Sequence, residues 1–120
     1  MECEVSFVKV KSYEEMHSSG QVKELIGLSE NINDRHVVIV EDIVDTGNTM
    51  KEVLPAFKKQ NPASLKILTL LHKSEATVID LKIDYVGFVI KDKFVVGFGL
   101  DYDGFGRNID EIMVLAEKPN

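Results

Sequence analysis

Four consecutive β-branched residues, Val37-Val38-Ile39-Val40, run into three carboxylates, Glu41, Asp42 and Asp45, and then into the turn Thr46-Gly47-Asn48-Thr49. A continuous β-branched run is the pattern of a parallel strand buried on both faces. Beyond the turn, Met50, Val53, Leu54 and Phe57 fall at i, i+3, i+4 and i+7, one face of an amphipathic helix. Pro55 lies inside that helix and is expected to kink it, since proline has no amide proton. Asn61-Pro62 is expected to end it. Residues 65–71 form a second apolar run, read as another buried strand. Strand, loop, helix and strand in this order make the unit of a parallel α/β sheet.

The flanking segments follow a different period. Residues 4–10 alternate and read as a short strand. Residues 11–20 turn polar, and 21–28 become apolar again, so the two arms read as a long β-hairpin with a mobile tip. Past residue 84, strands are expected over 85–90, 94–100 and 112–116, with a turn at Lys91-Asp92-Lys93 and a Gly- and Asp-rich loop over 101–108. The segments 84–88 and 101–105 look alike, but their flanks differ, so they read as coincidence rather than a repeat.

Composition narrows the function classes. At 120 residues the chain holds one core, and no linker divides it. A net charge of -6 without a clustered basic face argues against a nucleic-acid module. The single cysteine, Cys3, excludes an intrachain disulfide and has no cysteine partner for zinc. No apolar run approaches the ~18 residues of a membrane span. Glu2 and Glu4 stand where a signal peptide would carry basic residues. The expectation is a cytoplasmic single domain.

The carboxylates and the turn carry the chemistry. In open α/β sheets, ligands bind at the carboxyl ends of the strands. In Asp45-Thr46-Gly47-Asn48-Thr49, glycine lets the backbone approach an anion, helix-start amides point at it, and threonine hydroxyls add donors. Carboxylates beside an anion site are costly unless they serve a cation or a sugar. The residues therefore suggest a ligand bearing phosphate, hydroxyls and bound magnesium. The plainer alternative is an acidic, solvated strand-to-helix turn.

The segment 37–49 closely resembles the phosphoribosyl pyrophosphate signature of the purine phosphoribosyltransferases. Lys11-Ser12-Tyr13 looks like the start of that family's lid loop, and Leu70-Leu71-His72-Lys73 like its purine-contacting lysine segment. Residues 92–102, Asp-Lys-Phe-Val-Val-Gly-Phe-Gly-Leu-Asp-Tyr, are similar to the base-binding segment of the hypoxanthine-guanine branch. Four segments in family order cover nearly the whole chain. The resemblance implies a type I phosphoribosyltransferase fold: α/β, a mainly parallel sheet with flanking helices and a lid hairpin whose mobile part is 11–21.

The resemblance also implies roles. Glu41 and Asp42 would hold the ribose hydroxyls, directly or through magnesium. Asp45, Thr46, Gly47, Asn48 and Thr49 would cradle the 5′-phosphate, and Asp45 would also exchange a proton with the purine's five-membered ring. Lys73 would donate to the 6-oxo group, Phe94 would stack on the base, and the Val95 backbone would read its edge. Asp101 would complete the base-binding segment and ligate a second Mg2+; Arg107 would neutralise pyrophosphate; Ser12 and Tyr13 belong to the lid. Taken alone, Lys73 would be a surface lysine, Phe94 a core aromatic, Arg107 a solvated loop residue and Tyr13 a residue packed on its hairpin. His17, His36 and His72 show no ligand-like spacing.

The implied activity is purine salvage. Phosphoribosyl passes from phosphoribosyl pyrophosphate to hypoxanthine or guanine, giving IMP or GMP and pyrophosphate, with Mg2+ as cofactor. The implied assembly is a homo-oligomer, a dimer or tetramer, without nucleic-acid or membrane partners. The family's leading segment, about a third of its length and including a pyrophosphate loop, has no counterpart before the lid here, so the chain reads as N-terminally incomplete. Two rivals remain. One is a phosphoribosyltransferase-like nucleotide-sensing regulator, or an inactive fragment, without turnover. The other is a receiver-type signalling domain, which would need an aspartate where the second buried strand instead ends in His72-Lys73.

Overall fold

Backbone pairing, more than side-chain polarity, sets where the first strands lie. The computed structural model describes residues 1–13, 22–28 and 30–116. Strand β1 (Lys9–Tyr13) pairs antiparallel with β2 (Val22–Ile26), Lys9 opposite Ile26 and Tyr13 opposite Val22. The strand expected over 4–10 thus starts later, and Lys11, Ser12 and Tyr13 lie in β1 rather than in the polar loop. A ladder uses amides and carbonyls that every such residue carries, so polar side chains do not end it. Residues 14–21 of the expected lid, with His17, lie outside the described residues.

The central unit is the expected parallel one. Strand β3 (His36–Val44), helix α1 (Asn48–Lys58), β4 (Ser64–His72) and β5 (Tyr85–Val89) give a parallel sheet in the order β3-β4-β5. Ile39 stands opposite Ile67, Val44 opposite His72 and Leu71 opposite Phe88. The carboxylates do not end β3: Glu41, Ile43 and Val44 all pair with β4. The His36 Nδ1 to Ser64 Oγ contact, 2.8 Å, clasps the starts of the two strands.

Helix α1 buries Met50, Val53 and Phe57 against Ile32 and Ile67, with Ile39, Leu65, Val8, Val10 and Leu28 packed around them. It runs through Pro55 to Lys58 without interruption. Pro55 faces solvent, so water can serve the carbonyl its missing amide leaves open. The helix stops before Asn61, whose φ is 52°, ahead of Pro62 as expected.

The sheet's two faces differ, which corrects the expectation that β3 is covered on both. On the face away from α1, Val38, Val40, Leu68 and Leu70 are 50, 69, 37 and 39% exposed. Alternation sends these residues opposite to Ile39 and Ile67, and α1 is the one helix among the described residues.

Beyond β5, β6 (Val95–Val96) pairs antiparallel with β7 (Met113–Val114). The strand expected over 94–100 is cut to two residues because Gly97, Phe98 and Gly99 all take left-handed backbone, φ 106°, 48° and 89°. At Gly97 any Cβ would collide with the Glu111 carbonyl oxygen. The look-alike segments also diverge: one is β5, the other a tight turn closed between Tyr102 and Phe105.

Candidate active site at the carboxyl edge of the sheet

Parallel pairing brings the ends of β3, β4 and β5 to one edge, and the loops leaving them are stitched together. The Lys73 amide donates to the Val44 carbonyl at 2.9 Å, and the Val78 amide to the Thr46 carbonyl at 3.2 Å. The Thr77 hydroxyl lies 2.7 Å from the Asp45 carbonyl oxygen, 3.1 Å from that of Lys73 and 3.0 Å from His72 Nε2. Thr77 is a residue that sequence reasoning missed. Its only sequence signal is a hydroxyl shortly after a strand end, which many loops share.

Between β3 and α1 lies a cavity of about 240 Å3 lined by Glu41, Asp45, Thr46, Gly47 and Thr49, with Ile43, Val44 and Met50 below. Gly47 caps α1 in the left-handed region, φ 86°, and no side chain caps the helix there. The Asn48 amide makes a long 3.3 Å contact with Thr46 Oγ1. Thr46, Gly47 and Thr49 thus line one small hollow at the start of α1, and a helix N-terminus is the kind of place where phosphate groups bind.

The paired carboxylates separate. Glu41 is half-buried, and its carboxyl is held above the ordinary range, first by burial and then by the neighbouring Asp42 charge. Asp42 points to the other face by strand alternation, is exposed, and accepts the Ile43 amide at 2.7 Å through Oδ1. Glu41 lines the hollow; Asp42 does not.

Lys73 is not the surface lysine that its sequence neighbours suggest. It is 6% exposed. Its ammonium sits 3.4 Å from Asp45 Oδ2 and 3.9 Å from Asp92 Oδ1. In the sequence Asp92 is a turn residue and the first residue of the 92–102 segment, with no role of its own assigned to it. Phe94 is 51% exposed rather than core, and meets Tyr102 edge-on with ring centroids 5.7 Å apart. Val95 is buried in β6. Asp101 and Arg107 form their own cluster: Arg107 Nη2 is 3.1 Å from Asp101 Oδ1, Nη1 donates to the Gly99 carbonyl, and Asp101 Oδ2 accepts the Gly104 amide. Among the described residues, no three His, Cys, Asp or Glu side chains converge on a metal position. Magnesium is usually bound by only one or two carboxylates together with waters and substrate phosphates. Glu41 and Asp42 supply such hard oxygens, whereas both oxygens of Asp101 are engaged.

The phosphoribosyl transferase domain profile matches residues 1–103. The chain belongs to that family. The phosphoribosyltransferase chain is 44% identical over 116 residues to the hypoxanthine-guanine phosphoribosyltransferase of Streptococcus pneumoniae, 96% of this chain and 64% of the relative. It is 47% identical over 103 residues to the hypoxanthine phosphoribosyltransferase of Buchnera aphidicola, 85% of this chain and 58% of the relative. The chain thus spans a little under two thirds of these relatives' length. Among solved structures, a Trypanosoma cruzi hypoxanthine phosphoribosyltransferase in a ternary substrates complex superposes with a TM-score of 0.82 at 38% identity, over 92% of this chain and 60% of that one. The type I phosphoribosyltransferase fold is the fold of this chain.

Proposed function

We propose that this chain carries the ribose-phosphate and purine-recognising part of a hypoxanthine-guanine phosphoribosyltransferase. The observation that carries the reading is the buried Lys73 ammonium 3.4 Å from Asp45, a carboxylate that also lines the hollow between β3 and α1. Phosphoribosyl pyrophosphate would place its 5′-phosphate on residues 46–49 and its ribose against Glu41, with Asp42 alongside. Phe94 would stack on hypoxanthine or guanine, the Val95 backbone would meet the purine edge, and Lys73 would donate to the 6-oxo group. A bond forms between the purine nitrogen and the anomeric carbon as the bond to pyrophosphate breaks. The purine's ring proton passes to Asp45 Oδ2. Arg107, once off Asp101, would meet the departing pyrophosphate.

Because Glu41 and Asp42 lie on opposite faces of β3, Mg2+ would be held by one of these carboxylates together with waters and the substrate's phosphates, whose charge it would offset; Asp101 would hold a second ion only after releasing Arg107. Ser12 and Tyr13 begin the proposed lid. Lone Cys3 is exposed, and no helix among the described residues is long and apolar enough to cross a membrane; we place the protein in the cytoplasm, as a homo-oligomer. Calorimetry with ribose 5-phosphate, GMP and AMP tests the reading. Ribose 5-phosphate should bind, and GMP more tightly than AMP. Thr49→Val should weaken all three by about 1–3 kcal/mol, the weight of one hydrogen bond to a charged group. Absence of ribose 5-phosphate binding sinks the reading.

A further inference from the structure

The Lys73 ammonium is buried at 6% exposure yet makes no short ion pair. Charge-assisted N–H···O bonds are about 2.7–2.9 Å long, but Lys73 Nζ stands 3.4 Å from Asp45 Oδ2 and 3.9 Å from Asp92 Oδ1. It hangs between two carboxylates, one from the loop after β3 and one from the turn after β5, while its own residue follows β4. We propose that Asp92 is a positioning residue that holds Lys73 in place for the purine's 6-oxo group. The inference rests on the proposed function above. In that function Asp45 must turn to the five-membered ring of the base, so it cannot remain the counter-charge of Lys73. A buried ammonium stripped of its last carboxylate is strongly disfavoured. Asp92 is the second carboxylate within ion-pair distance. With Asp92 in place, Lys73 can leave Asp45 and still be held charged, with a proton free to donate. Without it, Lys73 collapses onto Asp45, which withdraws the base's donor and its proton acceptor together. At 60% exposure Asp92 keeps solvent contact, so the base can cover Lys73 without burying this carboxylate.

Two measurements test this, one with ligand and one without. Asp92→Asn should weaken GMP binding about tenfold, roughly one charged hydrogen bond, while leaving ribose 5-phosphate, which has no base, unchanged. Asp92→Glu should restore most of the GMP affinity. A structural role would instead lower both affinities alike, and unchanged GMP binding would equally overturn the proposal. The ligand-free test is a thermodynamic cycle of unfolding free energies for Asp92→Asn, Lys73→Met and the double variant. Asp92→Asn should destabilise the parent but not the Lys73→Met background; an additive cycle overturns the proposal. If ribose 5-phosphate fails to bind the parent while the cycle shows coupling, the functional reading falls and the hold of Asp92 on Lys73 stands.

Discussion

Lys73 would select between purines by the sign of its hydrogen bond. An ammonium only donates, so it meets a 6-oxo group but faces another donor on a 6-amino group. An amide presents either an oxygen or an NH2. Lys73→Gln should therefore lower the ratio of GMP to AMP affinity about tenfold, the weight of one charged hydrogen bond. The ratio is the quantity to read, because loss of the ammonium also leaves Asp45 and Asp92 unneutralised, which affects both ligands. An unchanged ratio in competition titrations would remove Lys73 as the base reader. Glu41 makes a prediction of the opposite kind, about stability. Its carboxyl is raised above 4.5 by burial and then by Asp42, so the folded chain holds its proton more tightly than the unfolded one. Its contribution is present below the unfolded value and is lost as pH rises through the folded one. Glu41→Gln, which stays neutral, should be more stable than the parent at pH 7. The advantage should vanish below about pH 4, near the unfolded glutamate value. Urea unfolding across that range gives the answer, and a constant difference would mean that Glu41 carries no burial penalty.

At the scale of elements, the turn between β3 and α1 depends on Gly47. Its φ is 86°, and a Cβ there would sit 2.8 Å from Ile79 Cγ1. Gly47→Ala should cost about 1–2 kcal/mol from the left-handed backbone alone, plus the displacement of Ile79. Combining it with Ile79→Ala should recover the steric part and leave the backbone part, which chemical unfolding of the four variants would resolve. Strict additivity would show that Ile79 does not press on the turn. The same turn shows why much of this molecule is legible in its sequence. The run 37–40, the i, i+3, i+4, i+7 face of α1 and the glycine between them are local signals, and β3, α1 and β4 follow from them. The burial of Lys73 is not local. It needs carboxylates delivered by the ends of two other strands, and no spacing along the chain records that Asp92 arrives there. The extent of β6 is lost for a related reason: residues 94–100 carry a strand's apolar content, but left-handed backbone at 97–99 curls the chain into the loop that holds Arg107 on Asp101.

At the scale of the whole molecule, the sheet face that α1 leaves bare is the feature with consequences for assembly: Val38, Val40, Leu68 and Leu70 are between 37 and 69% exposed there. Fully burying such a side chain gives about 1.5–3 kcal/mol. Each is already about half covered, so four from each of two copies offer about 6–12 kcal/mol. Association itself costs about 4–15 kcal/mol. The two figures are comparable, so self-association through this face should be weak and concentration-dependent rather than obligate. Sedimentation velocity over a dilution series should show the average mass falling toward the monomer. Val40→Thr with Leu70→Thr keeps side chains suited to a strand while adding hydroxyls to the face, and should shift the transition to higher concentration without lowering the affinity for ribose 5-phosphate. The proposed phosphate site is the hollow between β3 and α1, whose lining includes none of Val38, Val40, Leu68 and Leu70. A parent chain that stays monomeric throughout, or a double variant that associates as strongly as the parent, would show that the bare face is not what joins the copies.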